Sequence, residues 1–391
     1  MKSRKLSGTR RRVTILGAAA TSVVAGVALL PNWSAGAAVV DDPTVDAKTK
    51  ATFQRLADAV FTDRTDALVT GAQGDRAKPL TNGFSGNVKL SSGTARSEGA
   101  TVSSLEQRKD KLAKAGEKYS KAATTVTLNA TRVTGRTAKA AVTETTTLTY
   151  AQARGDAPKT TGFQARHELT FKADQQGNWQ LTGITDTDQG GLAVNTLSKP
   201  TSVKVNTAAD DNPMPNAPRA ATSWNPPAVP KTGTTYDYKA MAAYAEKYWN
   251  VYNKDYPDFN NHTAGGDCTN FVSQSLKAGG WKHVPGYVYD YTKWFGNADI
   301  QSDSFVGVNE WSWFAQNSKR TTPLANVYQL EVGDVLQMDF DRDGSKDHTM
   351  IVTYKANGMP YLTYHSNNTL RRSLSSILAS YPNTYYYAYR T

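Results

Sequence analysis

Apolar residues between positions 45 and 190 recur first at helical spacing and then at every second position. The helical set falls at i, i+3, i+4, i+7 and i+8, the spacing of one buried helix face. Its members are Phe53, Leu56, Ala57, Val60 and Phe61. A charged stretch with helical periodicity follows at 105–119. The pattern therefore predicts two helices at the start of this block.

The pattern then changes to period two, which is typical of half-buried strands. Strands are predicted at 125–130, 140–150, 167–171 and 179–184. Helices followed by an antiparallel meander indicate an α+β sheet domain over 45–190. This order of elements resembles the cone-shaped nuclear-transport-factor-like domains of exported bacterial proteins. No catalytic constellation accompanies the block's single histidine, His167, which we interpret as an ordinary strand residue.

The segment 191–235 differs from both of its neighbours in composition. Few of its residues are apolar enough to pack, and prolines are scattered along it. They are Pro200, Pro213, Pro215, Pro218, Pro226, Pro227 and Pro230. Proline restricts the backbone to extended conformations, so we predict a linker that is semi-rigid where prolines cluster.

The region 236–391 is dense in tyrosine and tryptophan, and it is long enough to form a second domain with its own core. An apolar helical stripe between Tyr238 and Tyr252 opens it, and we interpret this stripe as core packing. Apolar positions at helical spacing also follow Cys268, and glycines at 279–280 end that pattern. Cys268 is therefore predicted to begin a helix, with Asp267 or Thr269 as its cap.

Two later strands carry histidines. A strand at 333–338 is predicted to pair with one at 347–354 across a turn at 343–344. Because side chains alternate along a strand, His348 shares a face with Met350 and Val352, whereas Asp347 faces the other way. Asp347 is therefore poorly placed to orient His348, although the two are adjacent.

A further hairpin is predicted at Asn357–Gly358, a common two-residue turn. Pairing position 356 with 359 sets Asn367 opposite His348 and makes His365 the diagonal neighbour on the same face. A slip of two residues would make His365 the direct partner instead. The residue that orients His348 is therefore predicted to be His365 or Asn367.

Cys268 is the single cysteine of the 391 residues, so it cannot form an internal disulfide. It follows two glycines and Asp267 and precedes a predicted helix, whose dipole and free N–H groups favour the thiolate. A buried inert cysteine would normally have apolar sequence neighbours. We therefore predict that Cys268 is a nucleophile.

Acyl transfer at Cys268 needs a base, an orienting residue and an oxyanion site. The region offers His262, His283, His348 and His365 as the base, and His348 is the one whose imidazole His365 or Asn367 could hold. The backbone N–H of Cys268 and one upstream group from Asn261 or His262 are predicted to stabilise the oxyanion. This chemistry requires no cofactor.

The N-terminal segment resembles an export signal. A basic region ending at 10–12 precedes an apolar run at 13–30, and Ala35-Gly36-Ala37 is a candidate cleavage site, so 1–37 is predicted to be a signal peptide. The arginines at 10–12 also permit a twin-arginine reading, and a retained membrane anchor is the alternative. Removal of six basic residues lowers the formal net charge from +11 to about +5. That charge is too mild to indicate a nucleic-acid partner.

Three motifs together carry a family resemblance. They are Gly-Gly-Asp-Cys-Thr-Asn-Phe-Val-Ser-Gln at 265–274, Asp-x-Asp-Gly-x-x-Asp-His at 341–348 and Tyr-His-Ser-Asn-Asn-Thr at 364–369. With Gly-Asp-Val-Leu at 333–336, they resemble an amidase domain family of secreted bacterial proteins, similar to CHAP amidases and other papain-like cell-wall hydrolases. The resemblance implies a papain-like α+β domain over 236–391, with a nucleophile helix packed on an antiparallel sheet. It also implies Cys268 as nucleophile, His348 as base and a polar third residue on the following strand.

The sequence thus predicts a secreted, wall-associated cysteine amidase or peptidase that cleaves amide bonds of cell-wall peptides through a thioester. The predicted partner is a wall peptide or another amide, with no stable membrane insertion once the signal is removed. Two alternatives remain open: a non-catalytic wall-binding module and an acyl transferase on the same fold.

The acidic residues of the 339–347 turn imitate the opening of a calcium loop. They are Asp339, Asp341, Asp343 and Asp347. Position twelve of such a loop, where a bidentate Glu is expected, is Met350, so a complete EF-hand is not predicted. An acidic hairpin turn and a weak calcium site are the two readings.

Overall fold

A computed structural model of the protein describes residue 39 and the ranges 41–71, 88–188, 192–197, 215–232, 236–261 and 266–391. The predicted signal peptide at 1–37 lies outside the described residues, and so do His262 and most of the predicted linker. No helix within those ranges combines the length and apolar character needed to cross a bilayer.

The helices of the described residues fall in two groups, two before the linker and five after it. They are α1 (Ala47–Asp66), α2 (Ser92–Lys114), α3 (Tyr238–Tyr248), α4 (Cys268–Ala278), α5 (Asp303–Val306), α6 (Val308–Asn317) and α7 (Leu374–Ser380). The predicted apolar face of α1 is buried, from Phe53 to Phe61. Asp46 caps α1 by accepting a hydrogen bond from the Thr49 N–H.

The strands likewise fall in two groups. The first group is β1 (Val88–Leu90), β2 (Tyr119–Thr134), β3 (Thr137–Tyr150), β4 (Thr160–Ala173) and β5 (Trp179–Asp186). The second is β6 (Thr322–Leu324), β7 (Val335–Asp339), β8 (His348–Ala356), β9 (Met359–Tyr364), β10 (Asn368–Ser373) and β11 (Tyr385–Arg390). Strands β2 to β5 form the antiparallel meander that the period-two pattern predicts.

One sheet runs through both groups of strands. Its main path is β1-β5-β4-β10-β9-β8-β7-β11-β6, with β3 and then β2 attached to the other edge of β4. Strand β4 makes this continuity possible because it is long: β5 pairs with its second half, and β10 pairs with Gly162–Gln164 in its first half. The regions 45–190 and 236–391, called here the N-terminal and C-terminal lobes, therefore share a sheet.

The C-terminal lobe buries apolar side chains on both faces of β7 and β8. Val335 and Ile351 pack with Phe271 and Leu276 of α4, and this side is called here the helix face. Met338, Met350 and Val352 pack on the opposite side with residues of β9 and α7, called here the far face. Alternation along each strand separates these two cores.

The described parts of the proline-rich segment contact the lobes through a few buried residues, although most of 215–232 is exposed. Leu192, Ala193, Ala217 and Ala220 are buried. The Ala221 N–H donates to the carbonyl of Ala325, so the segment also makes backbone contacts with the C-terminal lobe. The described chain is thus a mixed helix and sheet protein with a large mixed sheet, compatible with the predicted α+β class.

Candidate active site

Cys268 is the first residue of α4, and its side chain is buried against β8. Its sulfur lies within hydrogen-bonding reach of the Thr349 backbone N–H and 3.8 Å from the Thr269 hydroxyl. That hydroxyl lies 2.9 Å from the hydroxyl of Thr349. Burial raises the pKa of the Cys268 thiol, because desolvation disfavours the thiolate. The group is therefore a sheltered neutral thiol that needs a proton acceptor before it can attack.

The residue before the cysteine, Asp267, forms a buried hydrogen bond with His365. Asp267 Oδ2 lies 2.6 Å from His365 Nδ1, and both side chains are almost fully buried. His365 Nε2 lies 2.9 Å from the carbonyl oxygen of Tyr248. Both partners are acceptors, so a ring with a single proton can donate to only one of them at a time.

The His365 ring belongs to the helix face. It stacks on Phe271 of α4 with ring centroids 4.0 Å apart, and Tyr252 contacts it at 4.6 Å. The other oxygen of Asp267 accepts hydrogen bonds from the Asn270 side chain at 2.8 Å and the Phe259 N–H at 3.2 Å. Asp267 therefore makes no side-chain cap of α4, because its carboxylate is used by these neighbours.

The backbone around the cysteine is closely packed at Gly266. Gly266 has φ 85°, which favours glycine. A Cβ placed there would lie 2.6 Å from the Ser366 hydroxyl oxygen. Ser366 follows His365 and itself has φ 86°. Gly266 and Ser366, both in the left-handed backbone conformation, thus bring the segment before Cys268 into contact with the segment after His365.

His348, the predicted base, lies at the start of β8 with its ring on the far face. Its ring contacts are Tyr364 at 5.2 Å and Phe340 at 6.5 Å. No described atom forms a hydrogen bond with its buried Nε2. Burial without a charged partner lowers the pKa of His348 to about 3. The next residue, Thr349, is the one that faces Cys268, so the structure does not bring the His348 ring to the thiol.

A bulge in the β8–β9 hairpin separates the two histidines. The pairs Ala356–Met359 and Tyr354–Tyr361 follow the predicted register, but Val352 pairs with Leu362, one residue out of step. A shift of one residue moves every later side chain to the opposite face. The prediction that Asn367 lies opposite His348 and that His365 shares its face is therefore wrong.

The other predicted site residues have separate positions. The Asn367 side chain accepts a hydrogen bond from the Ala193 N–H at 3.2 Å and donates to Asp188 at 2.9 Å. Asn367 therefore binds the segment between the lobes. Asn261, a predicted oxyanion residue, ends a 3₁₀ turn at Phe259–Asn261, and its side chain lies outside the described part.

The acidic turn between β7 and β8 brings three of its four aspartates together. Ligand oxygens of Asp339, Asp341 and Asp347 lie within 4.8 Å of one another, so this group could hold a cation. Asp339 also accepts hydrogen bonds from the N–H groups of Arg342 and Gly344. The carboxylates therefore already shape the turn.

Sequence reasoning missed the role of Asp267 as the carboxylate partner of His365. It assigned Asp267 only a capping role, although its position directly before the cysteine was visible. It also missed Thr349 and the Tyr248 carbonyl as neighbours. No sequence signal marks these contacts, because they depend on how α3, α4 and β8 pack.

The C-terminal lobe matches a family of known domains. Residues 235–389 match the family described as "Putative amidase domain". Two proteins of Bacillus subtilis (strain 168) align with the chain. "Uncharacterized protein YhbB" is 35% identical over 138 residues, which cover 34% of this chain and 42% of that protein. "Uncharacterized protein YjcM" is 33% identical over 142 residues, which cover 34% of this chain and 32% of that protein.

The chain thus spans less than half the length of these two curated relatives. Among solved structures, the crystal structure of the intermembrane space region of chloroplast protein ARC6 aligns with 37% of this chain and 98% of that one, at 14% identity. Its TM-score of 0.23 is too low to indicate a shared fold. The resemblance predicted from the cysteine and histidine motifs is confirmed: residues 235–389 match this amidase domain family.

Proposed function

We propose that the C-terminal lobe is a cysteine-dependent amidase or peptidase with Cys268 as its nucleophile. The observation that carries the proposal is a cysteine at the start of α4, directly after an aspartate that is paired with a histidine. This arrangement lies inside the region that matches the amidase family. A thiol, an imidazole and a carboxylate are the groups that covalent amide hydrolysis uses.

We propose His365 as the imidazole of this site and Asp267 as the carboxylate that orients it. Support comes from their position on the helix face with Cys268, whereas the ring of His348 packs on the far face. In the resting arrangement His365 Nε2 is bonded to the Tyr248 carbonyl. A productive complex requires that nitrogen to exchange this carbonyl for the thiol and, later, for the leaving amine.

In the proposed reaction the neutral imidazole accepts the thiol proton, and the sulfur attacks the amide carbonyl carbon. The tetrahedral oxyanion is stabilised by backbone N–H groups at the start of α4. The imidazolium then protonates the amine, the C–N bond breaks, and a thioester remains on Cys268. Water, deprotonated by the same imidazole, releases the carboxylic acid and restores the thiol.

We propose cell-wall peptides, or a related amide, as the substrate, outside the cell. The support is the basic and apolar N-terminal segment, which resembles an export signal, together with the wall-hydrolase resemblance of the motifs. A thioester can also pass its acyl group to an amine, so acyl transfer on the same fold is an outcome that the product spectrum distinguishes.

The test is digestion of purified wall polymer by the full chain, followed by mass spectrometry of the peptide products. Wild-type protein should release new amine and carboxylate termini, and Cys268→Ala should release none. A fold check by circular dichroism accompanies the variant. Equal turnover by a folded Cys268→Ala protein would refute the nucleophile assignment.

Alkylation adds a second measurement that needs no substrate. Because Cys268 is the single cysteine, mass change after iodoacetamide treatment reports on that thiol alone. Burial alone predicts slow alkylation in the folded state and fast alkylation in urea, whereas a thiol that an imidazole activates should also react in the folded state well below about pH 8. A site that serves only wall binding would leave polymer affinity unchanged in Cys268→Ala and show no product with the wild type.

A further inference from the structure

The junction between the two lobes is a pairing of β4 with β10. Asn368 of β10 is the register partner of Gln164 of β4. Their side chains are also bonded, since the Asn368 amide donates to Gln164 Oε1 at 3.1 Å. The N-terminal lobe therefore presents a polar side chain to the strand that follows His365.

Asn368 also forms hydrogen bonds that lead toward the cysteine. Its Oδ1 accepts hydrogen bonds from the Tyr252 hydroxyl at 3.0 Å and from the Asn260 amide at 3.3 Å. Asn260 Oδ1 in turn accepts from the backbone N–H of Asp267 at 3.1 Å. A chain of three amide side chains, Gln164, Asn368 and Asn260, thus connects β4 to the residue before Cys268.

Each residue of the segment 365–367 contacts another part of the protein. His365 binds Asp267, and Ser366 packs on Gly266. Asn367 binds the backbone at Ala193 and the Asp188 carboxylate. This segment therefore contacts the loop of the cysteine on one side and the N-terminal lobe on the other. Its asparagines connect the lobes.

We propose that the N-terminal lobe positions the cysteine loop through this amide chain, and that Gln164 and Asn368 are positioning residues for the site. The inference rests on the proposed function of Cys268 and gives the N-terminal lobe a role in it. Side-chain amides do not ionise, so they can orient Asp267 and Cys268 but cannot exchange protons with them. Loss of these amide hydrogen bonds should therefore change the position of the Cys268 thiol.

The test compares Gln164→Leu with Gln164→Glu in the full chain. Leucine removes the acceptor for Asn368, whereas glutamate retains it. We expect Gln164→Leu to lower kcat on wall polymer about tenfold, with a much smaller change in KM, and to speed iodoacetamide alkylation of Cys268 by a similar factor. Gln164→Glu should restore both rates to near the wild-type values.

Thr161→Val is the matched control. Thr161 is buried in the same strand and donates to the Leu370 carbonyl at 2.8 Å, so this variant also removes one bond of the β4–β10 junction. It leaves the amide chain intact. We expect a similar small change in Tm for Thr161→Val and Gln164→Leu, and a change in alkylation rate only for the latter.

An alkylation rate in Gln164→Leu equal to that of wild type would overturn the proposal, and so would an equal acceleration in Thr161→Val. If Gln164→Leu were too unstable to measure, Gln164→Ala at lower temperature supplies the same comparison. Alkylation needs no catalysis. Absence of wall hydrolysis by the wild type would therefore count against the proposed function, while the alkylation series still decides on the amide chain.

Discussion

The two sides of β8 show opposite ways to bury a histidine. On the helix face, His365 has a carboxylate on one ring nitrogen and a carbonyl on the other. On the far face, His348 is equally buried among aromatic rings, and no described acid is within hydrogen-bonding distance of its Nε2. The two buried imidazoles therefore differ in their polar partners, and the histidine that contacts an acid is the one on the helix face with Cys268.

The largest expected effect comes from removing each histidine in turn. We expect His365→Gln to lower kcat/KM on the wall polymer at least 100-fold, because general acid–base catalysis contributes about that much. His348→Gln should change kcat/KM by less than about tenfold, by altered packing alone. Peptide release assays on both variants measure the difference. A greater loss in His348→Gln would reverse the assignment and favour His348 as the base.

The far-face histidine should govern stability in acid. Its pKa is lowered from 6.5 to about 3 in the folded state, so below pH 6.5 the unfolded chain binds the proton more readily. Stability should therefore fall as the pH drops from about 6.5 toward 3, by about 3 kcal/mol at pH 4 from this group alone. Urea unfolding of His348→Phe should show a weaker acid loss than wild type. Identical slopes in the two proteins would contradict this.

A third buried histidine, in the N-terminal lobe, should govern stability in alkali. His167 lies 2.9 Å from Asp186 and 3.2 Å from Glu144. Although burial opposes the charge, the hydrogen bonds that His167 donates to these two carboxylates, together with their negative charges, raise the pKa of His167 to about 9. The folded state then holds the proton more tightly, so this stabilisation is complete below pH 6.5 and is lost as the pH rises to 9.

The free energy of unfolding should therefore fall by about 3 kcal/mol between pH 6.5 and 9 as His167 loses its proton. His167→Gln should be less stable than wild type at pH 6. Its free energy of unfolding should also fall less than that of wild type between pH 6.5 and 9. Urea midpoints across this range measure both quantities. An unchanged alkaline loss in His167→Gln would show that another group is responsible.

The smallest effect separates backbone conformation from packing at the cysteine loop. Gly266 and Gly344 both have positive φ, but a Cβ at Gly266 meets Ser366 while one at Gly344 meets nothing within 4 Å. Gly344→Ala should lower the free energy of unfolding by about 1 kcal/mol, because alanine is strained in the left-handed backbone conformation. Gly266→Ala should lower the free energy of unfolding by about 1 kcal/mol more than Gly344→Ala does. It should also change the Cys268 alkylation rate. Equal costs would mean that the contact of Gly266 with Ser366 is not tight.

Local pattern was enough to predict much of the fold. The buried face of α1, the β2–β5 meander and the helix that begins at Cys268 all follow from apolar spacing and turns. These features depend on residues within a few positions of one another, which a sequence displays directly. The sequence motifs also led to the amidase family that residues 235–389 match.

Tertiary structure decided which groups meet. One bulge in the β8–β9 hairpin moved His365 to the side of Cys268 and left His348 on the other. The hydrogen bond of Asp267 with His365 and the joining of the lobes through β4 and β10 likewise depend on residues about 100 to 200 positions apart. Periodicity shows which side chains share a face of one element. It does not specify the register between elements, and a difference of one residue in register reverses the face.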